Sequence, residues 1–166
     1  MQVKRVLIMG CLFIALYFIF KPWPEPTMLE IVESYEERWG VPLPEPQRFE
    51  KVWATKYPAR GDGEWYSVMH YEQELPEAND ANFTEITAQN EKVILGKVNR
   101  FIANTIDTHL SDKETQTAIR EAFDEHPVEF SVGDYYFHQA ENGGKDYIIG
   151  VYSQAYKKVY LMEWHQ

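Results

Sequence analysis

Two stretches of the chain carry residue types that could hold a metal. His70, Glu72 and Glu74 alternate in EWYSVMHYEQE, and Glu163 and His165 alternate near the C-terminus. Alternate residues of a strand share one face. If the two strands were neighbours with those faces aligned, two imidazoles and two or three carboxylates would converge, a set suited to zinc. His70, Glu72, Glu163 and His165 are therefore the metal candidates. The competing outcome, a solvated polar face, is the ordinary fate of such residues and outweighs the metal.

The other chemical signals are weaker. Glu72, Glu74, Glu77 and Asp80 form an acidic group without the glycine and regular oxygen spacing of a calcium loop. Arg60-Gly61-Asp62 is an integrin-type tripeptide, but glycine and aspartate are ordinary turn residues. Asp134 and Glu141 flank a strand, and nothing around them in sequence implies a raised pKa. No dinucleotide fingerprint, phosphate loop, zinc-protease helix, nucleophile elbow or paired-cysteine motif occurs. No catalytic residue and no cofactor is expected.

Aromatic residues are the distinctive feature, at 15% of the chain. Several strands carry them at both parities, so one core cannot absorb them all. Trp53, Trp65, Tyr66, Tyr136, Tyr152 and Trp164 are candidates for a surface that contacts a ligand, a glycan or a partner protein. Core packing with ordinary strand propensity is the rival explanation, and it is slightly favoured.

The elements that must position these residues can be read from periodicity. Thr27 and Glu30 form a capping box ahead of Ile31, Val32, Tyr35 and Trp39, with Gly40 as the stop. Gln47–Tyr57 and Glu64–Glu74 read as two strands of a hairpin around a turn cluster at 58–63, with Phe49, Trp53 and Tyr57 sharing a face. A second helix is expected from Asn82, with Glu85 as its capping partner, through Leu110. A third starts at the capping box Ser111–Glu114 and ends before Pro127. Val128–Val132, Tyr135–Glu141, Tyr147–Ser153 and Lys158–His165 read as strands, with Asn142-Gly143-Gly144 as a hairpin turn. The expected class is α+β, in the order α-β-β-α-α-β-β-β. Its antiparallel sheet of about five strands would carry the helices on one face.

Ahead of this domain stands an apolar run, Val6–Phe20, between Lys4-Arg5 and Lys21. As a helix it would span about 22 Å, short of the roughly 30 Å hydrocarbon core; snorkelling lysines and the interfacial Trp23 can make up the difference. No small-residue cleavage site follows Phe20, which counts against a cleaved signal peptide. Ile8–Cys11 only loosely resembles a lipobox, and its apolar region would be too short. The expected reading is an uncleaved signal anchor at 1–20, a proline-rich strut at 21–26 and a domain at 27–166. Basic residues before the run place the N-terminus in the cytoplasm and the domain outside.

The formal net charge is −10, and removing the three basic residues Lys4, Arg5 and Lys21 leaves −13 on the remainder. Such a surface repels nucleic acid and anionic headgroups. The lone cysteine, Cys11, lies in the apolar run, so the domain has neither disulfide nor thiol nucleophile. The expectation is a membrane-anchored extracytoplasmic domain of a bacterial envelope, non-enzymatic, binding a protein partner or ligand through an aromatic sheet. A metal-dependent hydrolase acting on envelope material is one alternative. A structural or assembly subunit working through its membrane helix is another.

Overall fold

The computed structural model describes residues 25–55, 62–75 and 83–166. They form an α+β domain with three helices and a six-stranded antiparallel sheet. The apolar run Val6–Phe20 and the proline strut up to Pro24 lie outside the described residues, as do the turn at 56–61 and most of the acidic loop, 76–82. Among the described residues no helix is long and apolar enough to cross a membrane.

Helix α1, Met28–Trp39, begins as the capping box requires: the Glu30 amide donates to Thr27 Oγ1 at 3.2 Å and the Thr27 amide to Glu30 Oε2 at 2.7 Å. It ends at Gly40, whose φ of +65° suits a residue without Cβ. Val32, Tyr35 and Trp39 form its buried stripe, and Val41 and Leu43 continue the apolar face beyond the helix.

Strands β1 (Arg48–Ala54) and β2 (Gly63–His70) pair antiparallel, as the hairpin reading requires. A bulge between Lys51 and Trp53 shifts their register. An extra residue exchanges the two faces of a strand. Phe49 therefore packs on the α1 side, whereas Trp53 belongs to the opposite core; the expected common face for these two is corrected by that bulge.

The second helix, α2, runs from Glu91 to Thr108 rather than from Asn82. Thr84–Glu85 instead forms a short strand, β3. The Ile86 amide donates to the Asp134 carbonyl at 2.7 Å, and the Gly133 amide to the Ile86 carbonyl at 2.8 Å. This long-range pairing, absent from local propensity, takes the backbone that the first turns of a longer helix would have used. The third helix, α3, covers Lys113–Glu125 and is capped by Asp112, one residue later than expected; Asp112 Oδ1 accepts from the Thr115 amide at 3.0 Å.

Val128–Val132 is not a strand. Its end is tied instead to the buried Asp134 carboxylate, which accepts from the amides of Ser131 and Gln154. Strands β4 (Tyr135–Glu141), β5 (Asp146–Ser153) and β6 (Lys158–His165) complete the sheet, in the order β1-β2-β6-β5-β4-β3.

Helices cover both faces of the sheet, not one. On one side α2 and α3 bury Ile94, Val98, Phe101, Ile119 and Phe123 against Tyr66, Val68, Val151, Tyr160 and Met162. On the other, α1 and the segment after it bury Val32, Tyr35, Trp39 and Val41 against Met69, Phe137, Ile148, Val159 and Leu161. Two apolar faces need two covers, which is why both parities of β2, β5 and β6 are apolar.

Candidate functional site

The four residues of the expected metal set fall into separate places. In the β2–β6 register Glu163 lies opposite Trp65 and His165 opposite Gly63, whereas His70 lies opposite Lys158 at the far end of the pair. The faces differ as well. His70 shares the side of Tyr66 and Val68, which faces α2 and α3, and Glu163 shares the side of Leu161, which faces α1. Glu72 lies beyond β2, exposed, and accepts from Gln47 Nε2 at 2.6 Å. Among the described residues no cluster of three or more histidine, cysteine or acidic side chains is arranged to hold a metal ion.

Each half of that set belongs to a different polar network. Glu163 accepts from Tyr35 Oη at 2.9 Å and Trp39 Nε1 at 3.2 Å, with His165 Nε2 at 3.5 Å. Arg38 Nη2 is 2.7 Å from His165 Nδ1. A guanidinium only donates, so Nδ1 accepts and the ring hydrogen sits on Nε2, facing Glu163. Burial and the Glu163 charge push the Tyr35 hydroxyl well above its ordinary pKa, so it remains a donor. These bonds fasten α1 to β6.

At the other end of β2, His70 Nε2 is 3.1 Å from Glu50 Oε2, His126 Nε2 is 3.7 Å from Glu50 Oε1, and Arg48 reaches the same carboxylate at 3.3 Å. Burial raises the Glu50 pKa, but His70, Arg48 and His126 together outweigh it and hold the carboxyl below its usual value. Burial, aided by Arg48, lowers the pKa of His70 despite Glu50.

The candidate aromatic surface is distributed likewise. Tyr66, Tyr152, Trp53 and Trp164 are buried, at 0%, 1%, 9% and 8% exposure. Trp65 and Tyr136 are half-buried. Tyr66 stacks on Phe123 and Trp164 on Tyr147, so these rings are occupied within the domain. Asp134 is buried in the turn before β4, where it accepts from the Ser131 and Gln154 amides, and Glu141 is exposed. Glu74 is exposed; Glu77, Asp80, Arg60 and Gly61 lie outside the described residues.

One of the six aromatics does line a recess. A cleft of about 370 Å³ lies where the end of β1 meets the corner between α2 and α3, lined by Trp53, Thr55, His109, Asp112, Glu114, Thr115 and Ala118. The β1 bulge turns Trp53 toward it. His109 closes α2, and Asp112 opens α3 three residues on.

Behind this wall is the carboxylate of Glu64, whose side chain is 4% exposed. Thr55 Oγ1 donates to Glu64 Oε2 at 2.5 Å and accepts from the Glu64 amide at 2.9 Å. His109 Nε2 lies 3.6 Å from Glu64 Oε2, an ion-pair distance longer than a hydrogen bond. Trp53 meets the His109 ring edge-on, with centroids 6.1 Å apart. Neither Trp53 Nε1 nor His109 Nε2 has a hydrogen-bond partner. A buried polar atom left in that state costs about 1–3 kcal/mol. Among the described residues the third such atom is Tyr160 Oη, elsewhere in the α2–α3 core.

Of the cleft, Trp53 alone was among the residues that sequence pattern singled out. His109 and Asp112 could have been paired, since a helix end and the next helix start three residues apart must share a corner. Nothing local brings Thr55 and Glu64 to that corner; the packing of β1 on α3 does. Comparison with family models, with curated proteins and with solved structures finds no match for the chain.

Proposed function

We propose that this protein is a membrane-anchored extracytoplasmic binding domain of a bacterial envelope, non-enzymatic, and that a small ligand enters the cleft between β1, α2 and α3. The observation that carries the ligand reading is the cleft itself. Its volume of about 370 Å³ falls within the range of small-molecule sites, and its wall combines one large aromatic with several polar groups. Within that wall the Trp53 and His109 rings carry buried nitrogens that make no hydrogen bond, the latter 3.6 Å from the Glu64 carboxylate. The anchored, outward-facing part of the proposal rests on the Val6–Phe20 run and its flanking charges.

This reading uses a recess rather than an aromatic platform, because four of the six candidate rings, Trp53, Tyr66, Tyr152 and Trp164, are buried. Two measurements test the reading. A tag placed after Gln166 should be digested by protease added to intact cells, with the untreated protein at its full mass; protection would overturn the outward orientation. For the cleft, a fragment library titrated into the full chain in micelles should shift the Trp53 indole resonance, and Ala118→Phe, which fills the recess, should abolish the shift. No fragment moving that resonance in the millimolar range would overturn the cleft as a ligand site.

A further inference from the structure

We infer that the cleft takes a small organic cation, with an ammonium, quaternary ammonium or guanidinium head, an inference that rests on the reading of the cleft as a ligand site. Two of the lining residues, Asp112 and Glu114, are carboxylates, and the Glu64 carboxylate stands directly behind Thr55 and His109. Among the described residues that line the recess there is no lysine or arginine. Hydrogen bonds from Thr115 hold the Asp112 carboxyl below its usual pKa, so it is charged at neutral pH.

The opposing influence is the N-terminus of α3, which favours anions. A helix N-terminus carries about half a positive charge. The two carboxylates of the lining, Asp112 and Glu114, exceed that. Moreover, the donors an anion would seek are partly taken: Asp112 already accepts from both the amide and the hydroxyl of Thr115. Trp53 adds aromatic surface to the wall, and an indole is the best of the side-chain partners for a cation. Unlike a bare acidic patch, the cleft therefore offers concavity, an aromatic wall and two lining carboxylates together.

Methylammonium, choline and guanidinium test the inference, each against a neutral counterpart: methanol, neohexanol (the all-carbon isostere of choline) and urea. Acetate serves as the anion. The readout is the Trp53 indole resonance of the full chain in micelles, assigned by its loss in Trp53→Phe. At least one cation should bind about tenfold more tightly than its counterpart. The double variant Asp112→Asn with Glu114→Gln should weaken that cation about fivefold or more and leave the neutral molecule unchanged; asparagine still caps α3. Equal binding of every cation and its neutral partner would overturn the charge inference while the cleft stands. Preferential binding of acetate would overturn it in favour of an anion at the helix N-terminus. Silence from all seven probes would overturn both this inference and the cleft reading beneath it.

Discussion

Single carboxylates organise much of this domain. Glu163 is 13% exposed and holds two donors from one helix. Hydrogen bonds to charged groups contribute about 1.5–3 kcal/mol each. Tyr35→Phe should therefore lower unfolding stability by about that amount, measured as a shifted urea midpoint at constant slope. A loss below about 0.5 kcal/mol would mean that Glu163 does not fasten α1.

Glu50 and His70 give a pH dependence whose sign is fixed. The His70 pKa is lowered in the folded state from 6.5, so the unfolded chain takes up the proton first. Its contribution is complete above pH 6.5 and declines as pH falls from there through the folded value. His138 is shifted in the same direction, by burial and then by Lys97. Glu50, lowered from 4.5, loses its contribution at still lower pH, from its unfolded value down through the folded one. Urea midpoints should thus fall on acidification from neutral pH toward 5, and His70→Gln with His138→Gln should flatten that first decline. An unchanged slope in the double variant would reject the assignment.

Among the elements, β4 and β5 fit closely where Gly150 faces Phe137. A Cβ placed on Gly150 would stand 2.0 Å from Phe137 Cε1. The side chain cannot retreat freely, because Phe137 is itself 1% exposed and pressed by Phe83. Gly150→Ala should cost about 1–3 kcal/mol or more by overpacking. In a Phe137→Leu background the same substitution should cost less, and the non-additivity is readable from a double-mutant cycle.

At the α2–α3 corner, Asp112→Ala should lower stability by about 1 kcal/mol through loss of the cap, whereas Asp112→Asn should be nearly neutral. A large loss with asparagine would show that the charge, not the cap, stabilises the corner. The helix boundaries carry a general point. The capping box at Thr27 and Glu30 was fully legible because both partners lie within one turn. The early start expected for α2 was wrong because the competing partner, the Gly133–Asp134 backbone, is more than forty residues away in sequence.

For the whole molecule, the two cores on either side of the sheet draw their described residues from the segments between α1 and β6, so a chain begun at Glu25 retains all of them. A chain begun at Glu25 should therefore unfold in one cooperative transition, with a midpoint close to that of the full protein in micelles. Loss of cooperativity would mean that the preceding segment contributes to the fold. The strut and apolar run would then be more than a tether.

Local sequence determined what could be decided within a few residues: the α1 cap and its glycine stop, the apolar stripes of the helices, the turn at Asn142–Gly144, the acidic charge and the α+β class. It also showed aromatics at both parities of several strands, although the meaning of that pattern was open between core packing with ordinary strand propensity and an exposed aromatic face. Tertiary structure decided the rest. The bulge in β1 set which core receives Trp53, and strand order set His70 apart from Glu163 and His165. Packing of α2 and α3 on one face of the sheet turned Trp53, Tyr66 and Trp164 into core, and α1 on the other face buried Tyr152. The cleft depends on all of these at once: it joins Thr55, His109 and Asp112 with Glu64 behind them. Strand register and helix packing are cooperative, long-range choices, and a residue's own neighbours in sequence carry no record of them.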